Sequence, residues 1–285
     1  MASTDGFNFD TIDAPVVSGF ENAEAANAAS EAALASASGD APEVPDVPDG
    51  YVDLPIGINI DGETITSAEV RELTGADEEA LARVRSRQRA YIDRVLELGT
   101  VRLGSRPATH DALRKLYIGD RDALLIAIRR AMFGDQMDFE GVRCATCKTR
   151  IDLTIDLTQI PMRATPENLR PTIELRKMSA VVRFPAGDDQ AELIDRSDKD
   201  GTTTAELNTL LLNRVVEEFI KPDGSRVVAN PISIRDLGVA DRITLLKYVG
   251  DNVPGPLMNE ITVTHEDCGQ EVAIPVNVGD LFREL

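Results

Sequence analysis

From about residue 51, apolar positions alternate between the spacing typical of β-strands and the spacing typical of helices. Ile58, Ile60 and Ile65 flank the turn Asp61-Gly62, and this arrangement predicts a β-hairpin. The residues that follow carry apolar side chains three and four positions apart, which is the period of an amphipathic helix. The pattern therefore predicts a hairpin followed by helices.

The helical region divides into three segments, each opened by a residue that favours a helix N-terminus. The predicted spans are 77–98, 109–116 and 120–134, capped in turn by Asp77, Thr109 and Asp120, with Gly134 ending the last. Cys144 and Cys147 come next, followed by alternating apolar residues over 151–157 that predict a strand. The first part of the chain thus combines helices with antiparallel strands.

The same order of residues recurs downstream. At an offset of 121 positions, nine residues between Leu116 and Cys147 are identical to their counterparts between Leu237 and Cys268. Earlier segments match at an offset of 112, and the polar stretch 197–204 accounts for the difference. The alternative is a coincidence between two segments that each run from helix to strand.

We interpret the recurrence as a duplication, which predicts an α+β fold. Each unit would contain a β-hairpin, helices and a knuckle hairpin like that of a zinc ribbon. The predicted boundaries are 51–165 for the first unit and 166–285 for the second, after an extended arm over 1–50.

The arm differs from the rest of the chain in charge and complexity. The net charge is −19, and the fourteen acidic residues that precede Arg71, the first basic residue, account for all but five units of it. Residues 22–38 are mostly alanine, serine and glutamate, and three prolines follow over 42–48. Such a segment cannot bury enough apolar surface to fold alone. We expect it to lie on a neighbouring protein in a large assembly.

Composition excludes several classes of partner and location. The acidity and the absence of tryptophan argue against nucleic acid as a partner, because phosphate contacts need basic residues and single strands need aromatic platforms. No stretch approaches the ~20 apolar residues of a membrane span, and the N-terminus lacks the pattern of a secretory signal. We therefore expect synthesis in a cytosol and no contact with a membrane.

Four residues form the strongest candidate site. At the offset of 121, Cys144 corresponds to His265 and Cys147 to Cys268, so a Cys-x-x-Cys turn is matched by a His-x-x-Cys turn. Zinc prefers four thiolate and imidazole ligands in a tetrahedron, and two such turns supply them. A complete set leaves no position for substrate, so the predicted zinc site is structural. A redox pair and free buried cysteines are the alternatives.

The other polar motifs predict no catalysis. His110 is a candidate general base, but the sequence places no nucleophile or partner beside it. Asp120-Arg121 and Asp241-Arg242 are interpreted as helix caps followed by exposed or paired arginines. The expected catalytic set is therefore empty, and the protein is expected to be non-enzymatic.

Several segments resemble the baseplate protein family of T-even-like contractile phage tails, which has relatives in contractile injection systems. These segments are residues 70–81, residues 118–130, Phe133-Gly-Asp followed by the Cys144 turn, and residues 182–189. The resemblance spans about 55–285 and excludes the arm. Family members often carry Cys-Pro-x-Cys-Gly knuckles, whereas this chain has Ala145 and Lys148 in the first turn and His265 in the second.

The resemblance implies a non-enzymatic structural component of a baseplate or its hub, which binds other tail proteins. The expected location is the virion tail, after synthesis in the host bacterial cytoplasm. Two other functions remain open from the sequence: a transient assembly chaperone that is absent from the mature particle, and a zinc metalloenzyme with one ligand position open.

Overall fold

The computed structural model describes residues 50–84, 88–258, 261–274 and 276–285. The predicted arm over 1–50 lies outside these residues except for Gly50. The described residues pack as one unit that combines helices with antiparallel sheets, so the α+β class is confirmed.

The first half of this unit opens with the predicted hairpin. Its elements are β1 Gly50–Ile60, β2 Glu63–Val70, α1 Gly75–Ala82, α2 Gln88–Gly99, β3 Thr100–Leu103, β4 Arg106–Pro107, α3 His110–Lys115, α4 Ile118–Phe133, β5 Gln136–Arg143, β6 Arg150–Asp156 and β7 Met162–Arg163. Strands β1 to β4 form one antiparallel sheet in chain order, and β5 pairs with β6 as a separate hairpin.

The second half contains a further four-stranded sheet. Its elements are β8 Thr172–Glu174, β9 Ser179–Val182, α5 Gly187–Ser197, α6 Thr204–Val215, β10 Val216–Ile220, β11 Arg226–Val228, α7 Pro231–Arg235, α8 Val239–Asn252, β12 Gly255–Pro256, β13 Thr262–His265, β14 Gln270–Ala273 and α9 Val278–Leu281. Strands β8 to β11 pair antiparallel in chain order, and β13 pairs with β14.

Two apolar cores hold these elements, and the larger core joins distant parts of the chain. It contains residues of the first half together with Ile261, Val272 and Phe282 from the C-terminal segment. The smaller core lies within 173–249, between the second sheet and its helices. The β13–β14 hairpin therefore packs with the first half of the chain, which brings its turn towards the turn of the β5–β6 hairpin.

Three of the predicted helix caps, Asp77, Asp120 and Asp241, are wrong, and Asp241 is the third residue of α8, whose N-cap is Gly238. Thr74, rather than Asp77, caps α1, and Asp77 is the third helical residue of a capping box, where its carboxylate accepts a hydrogen bond from the Thr74 backbone N–H at 2.8 Å. The predicted helix over 77–98 is interrupted, because α1 ends at Ala82 and α2 begins at Gln88. The Thr109 cap and the Gly134 end are confirmed.

Asp120 caps no helix, because α4 begins two residues earlier after Tyr117. Its side chain is buried and accepts hydrogen bonds from the backbone N–H groups of Ile56, at 2.7 Å, and Gly57, at 3.1 Å. These donors lie at an irregularity in β1, where Gly57 has φ of 81°. A side chain there would clash with the carbonyl of Ile65. Asp120 therefore fixes β1 across α4.

Arg121 is a paired arginine, which is one of the two predicted alternatives, and it is buried. Its guanidinium donates to the Leu113 carbonyl at 2.9 Å and pairs with the Asp93 carboxylate at 2.8 Å. The two contacts link α4 to α3 and α2. Among the described residues, every helix is too short or too polar to cross a lipid bilayer.

Replacing Asp120 with alanine should destabilise the fold, because the buried N–H groups of Ile56 and Gly57 would lose their acceptor. We expect a loss of about 1–3 kcal/mol in the free energy of unfolding, measured with urea. Glu79→Ala, at an exposed position of α1, is the matched control and should change it by less than about 0.5 kcal/mol. Equal effects of the two substitutions would contradict this role.

Asp77 should make the free energy of unfolding depend on pH. Burial alone would raise its pKa, but hydrogen bonds from Arg71 and Thr74 lower the pKa from 3.8 to about 2. A lowered acid pKa stabilises the fold above pH 4, and this stabilisation is lost as the pH falls from about 4 to 2. In Asp77→Asn, the loss of unfolding free energy over this interval should be smaller than in the wild type. Glu78→Gln should follow the wild type.

Candidate metal centre

Two hairpin turns carry the four residues that were predicted to bind zinc. Cys144 and Cys147 lie in the turn between β5 and β6, and His265 ends β13 with Cys268 in the following turn. Each turn is closed by a backbone hydrogen bond to the carbonyl of its first candidate ligand, from Lys148 at 3.1 Å and from Gly269 at 2.7 Å. Both donors have a positive φ, 65° and 66°. The two turns therefore share one backbone conformation.

The larger core places these turns against each other. The donor atoms of the four residues all lie within 4.8 Å of one another. The Sγ atoms of Cys144 and Cys268 are 3.8 Å apart, and His265 Nδ1 lies 3.4 Å from Cys147 Sγ and 3.1 Å from Cys268 Sγ. Residues more than 110 positions apart in sequence thus form one compact group, close enough to bind a metal ion.

The spacing of the donor atoms fits a tetrahedral zinc ion. Zinc–sulfur bonds of about 2.3 Å and zinc–nitrogen bonds of about 2.0 Å place neighbouring sulfurs about 3.8 Å apart and sulfur and nitrogen about 3.5 Å apart. The distances between Cys144 and Cys268 and between Cys147 and His265 agree with these values, and the 3.1 Å between His265 and Cys268 is shorter. The donor set is therefore consistent with zinc in both chemistry and size.

The backbone around the turns favours the thiolate form of the first two cysteines. Backbone N–H groups of Cys147 and Thr146 lower the pKa of Cys144 from 9.0 to about 6. The hydroxyl and N–H groups of Thr149 lower the pKa of Cys147. Because thiolates are the form that binds a metal, this environment prepares the first turn for coordination.

The second turn has the opposite tendency. The Gln270 N–H alone would lower the pKa of Cys268, but burial and the neighbouring thiols of Cys144 and Cys147 raise it. The pKa of His265 is also raised, by a hydrogen bond with Cys144 and by the charge of Cys147. Both shifts have the same cause, which is the negative charge of the two first-turn cysteines.

The two ring nitrogens of His265 face different neighbours. Its Nδ1 atom faces the thiols, and its Nε2 atom lies 3.5 Å from the Asp267 carboxylate. A carboxylate at the outer nitrogen favours the tautomer whose inner nitrogen is free to bind a metal. Asp267 was not predicted from the sequence, although its place between His265 and Cys268 is a signal that could have indicated it.

The geometry gives little support to the alternative uses of these cysteines. Cys147 is exposed and Cys268 only partly buried, so they are not a set of buried free cysteines. Cys144 and Cys147 lie in a hairpin turn, not at the helix N-terminus that activates redox pairs. His110 lies outside the group and contacts the carboxylate of Glu97 at the surface. Among the described residues, no second set of three or more histidines, cysteines and carboxylates is placed to hold a metal ion.

The comparisons with known proteins identify the family. A model of the T4 bacteriophage base plate protein family matches residues 54–224, a range that includes Cys144 and Cys147 and ends before His265 and Cys268. Neither a curated protein nor a solved structure matches the chain. Because the matched range covers more than half of the sequence, the chain belongs to the T4 bacteriophage base plate protein family.

Proposed function

We propose that this chain is a non-enzymatic structural component of the baseplate of a contractile phage tail or a phage-like injection system. A structural zinc ion, held by Cys144, Cys147, His265 and Cys268, makes it rigid, and its surfaces bind neighbouring tail proteins. The family match supports the baseplate role. The observation that carries the mechanism is the convergence of the four donor atoms within 4.8 Å.

The protein is built from two copies of one module. In support, β1 to β4 and β8 to β11 are sheets with the same order, each interrupted after its second strand by two helices and each followed by two more helices and a hairpin. The proposed units, 51–165 and 166–285, each contain one such series. This order is what duplication of an ancestral module would leave.

Matching hydrogen bonds also support the duplication. The guanidinium of Arg121 donates to the carbonyl of Leu113, and that of Arg242 donates to the carbonyl of Ile234 at 3.2 Å, so both donor and acceptor recur at the offset of 121. Arg71 pairs with Asp77, and Arg183 pairs in the same way with Asp189. Unrelated segments of helix and strand would have no reason to share these pairs.

The zinc ion would join the two modules at their knuckle turns. Its ligands come in pairs from hairpins that are distant in sequence, so coordination closes a long loop of chain. In zinc-finger peptides the free energy of metal binding is about 10–16 kcal/mol and stabilises the fold directly. Four protein ligands complete the tetrahedron, leaving no position for a catalytic water. The resulting rigidity suits a protein that presents fixed surfaces to neighbours.

Removing one ligand should release the metal. Purified wild-type protein, kept reduced, should contain one zinc ion per chain by elemental analysis. In Cys147→Ser, zinc affinity should fall by more than the roughly 10–100-fold that is lost when a residue hydrogen-bonded to a ligand is replaced. The midpoint temperature of thermal unfolding should fall with it. Ala145→Ser, at an exposed position of the same turn, keeps all four ligands and should retain the ion. Zinc-free wild-type protein would refute the site.

Deleting residues 2–47 should impair incorporation into tails without impairing folding. The deletion leaves the unit Pro48–Leu285 intact, so its zinc content and unfolding free energy should be close to those of the full chain. We expect it to enter tails poorly, because the arm would no longer bind a neighbour. Mass spectrometry of purified particles measures incorporation. Wild-type protein missing from mature particles would instead support the transient chaperone, and normal incorporation of the deletion would refute the role of the arm.

A further inference from the structure

The two proposed modules meet through α5, which belongs to the second module and lies against the first. Asp188 in its first turn pairs with Arg114 of α3 at 2.7 Å, and Asp195 pairs with Arg89 of α2. The two acids lie seven residues apart, so they share one face of the helix. This face of α5 therefore binds α2 and α3 of the first module.

The contact with α5 closes a cavity in the first module. The cavity has a volume of about 430 Å³, and Asp195 and Asp198 of the second module form one of its walls. Six of the other lining residues come from the turn after α1 and from α2, and they are Val84, Arg89, Ala90, Asp93, Arg94 and Glu97. The cavity is thus built by one module and closed by the other.

The second module has the same cavity, but the first module does not close it. Helix α6 corresponds to α2 at an offset of 116, because Arg121 pairs with Asp93 and its counterpart Arg242 donates to Thr209 at 2.7 Å. By this offset, and by 112 for the turn after α5, the counterparts of those six residues all line a cavity of about 690 Å³, and they are Arg196, Ala205, Glu206, Thr209, Leu210 and Asn213. Its other lining residues also belong to the second module. We call it the open cavity.

The counterpart of α5, the helix that closes the first cavity, is α1. At the start of α5, the Gly187 N–H donates to the Leu116 carbonyl at 2.9 Å, and a β-carbon at this position would lie 2.8 Å from the Arg114 carbonyl oxygen. The contact therefore requires a glycine. Gly75 begins α1 in the same way, but a β-carbon there would have nothing within 4 Å among the described residues. Helix α1 thus keeps the glycine that such a contact requires, although nothing approaches it.

The corresponding face of α1 is exposed and carries both charges. Ala76 is the counterpart of Asp188, and Glu79 and Arg83 follow it at intervals of three and four residues, which places all three on one face. Arg83 is the counterpart of Asp195. Neither Glu79 nor Arg83 takes part in an ion pair within the described residues. Both charges are therefore available to a partner.

The open cavity carries the matching groups. Arg235 and Lys199 take part in no ion pair within the described residues, and Glu206 is in a single ion pair, at 3.8 Å from Arg196. The side-chain oxygen of Asn213 is shielded from solvent and has no hydrogen-bond donor among these residues. A buried acceptor without a donor is unfavourable, so a donor that entered the cavity would be stabilised there.

We infer that α1 of a second copy of this chain docks in the open cavity, as α5 docks on the first module. Glu79 would pair with Arg235, which is the counterpart of the arginine that pairs with α5. Arg83 would pair with Glu206 and donate to the side-chain oxygen of Asn213. The inference rests on the duplication that is part of the proposed function, and it names a second copy of the chain as one neighbour.

The occupant has to come from another molecule. Within one chain, Leu81 holds α1 in the larger core, and no residue of α1 lines the open cavity. Each chain thus has one free α1 and one open cavity, so the contact is head-to-tail and can extend through more than two copies.

The docked helix is the part of the junction that can recur. In the junction between the modules, Gly119 also lies against the Pro254 carbonyl, where a β-carbon would be 1.7 Å from the oxygen. Its counterpart Ala240 has a side chain. This second contact is therefore not repeated between copies, and the inference is confined to α1 and the open cavity.

The first test fills the space in front of α1 and measures association of the full chain by sedimentation velocity. The wild type should associate as its concentration rises, with species larger than a dimer at the highest concentrations. Gly75→Trp should weaken association by roughly tenfold or more, because the indole would occupy the place of the partner. Gly250→Trp, at a second helical glycine with nothing within 4 Å, is the matched control and should associate like the wild type.

The second test reverses the charge of the open cavity. Lys199→Glu/Arg235→Glu should also weaken association by roughly tenfold or more, because Glu79 of the partner would then face like charges. Lys177→Glu/Lys221→Glu makes the same change of charge at exposed positions outside the cavity. This control should associate like the wild type.

Mixing the two defective variants gives the sharpest result. Gly75→Trp retains an intact cavity and Lys199→Glu/Arg235→Glu an intact α1, so an equimolar mixture should form a 1:1 dimer that neither variant forms alone. A wild type that stays monomeric at all concentrations would overturn the inference. So would association that survives both changes, or a mixture that remains monomeric. Zinc content checks folding. Because the measurement is made without tails, a chain that associates in this way but does not enter tails would refute the baseplate role and leave the inference standing.

Discussion

The architecture depends on the meeting of two hairpin turns that the chain places more than 110 residues apart. Two apolar cores build the body, and the larger one includes the C-terminal segment, so the turn of Cys268 arrives beside the turn of Cys144. Three thiolates in contact would repel one another. A divalent cation bound by them and by the neutral imidazole would convert that repulsion into a cross-link between the two turns.

Away from the candidate metal centre, buried charged side chains of α4 hold the neighbouring helices and strand in place. Asp120 and Arg121 are adjacent in α4 yet act in different directions, one fixing β1 and the other holding α3 and α2. The second half retains the arginine contact through Arg242 but leaves Asp241 half-buried. The arginine contact therefore occurs in both halves, whereas the fully buried carboxylate occurs only at Asp120 among these two pairs.

Much of the site could be predicted from the sequence because ligand spacing and the repeat are both one-dimensional patterns. The cysteine turns, the hairpin at Asp61-Gly62 and the end of α4 at Gly134 are local features, and the structure has them. Asp120 was mistaken for a cap because the backbone N–H groups that donate to its carboxylate lie more than 60 residues upstream. No local sequence pattern reveals such a buried carboxylate. The position of Asp267 beside the Nε2 atom of His265 likewise depends on side-chain direction, which residue spacing does not encode.

We propose that four side chains complete the coordination of one zinc ion. X-ray absorption at the zinc edge, on the reduced full-length protein, counts and identifies these ligands. We expect three sulfur atoms at about 2.3 Å and one nitrogen atom at about 2.0 Å. A shell containing an oxygen ligand, or fewer than three sulfur atoms, would contradict a closed structural site and indicate a position open to water or substrate.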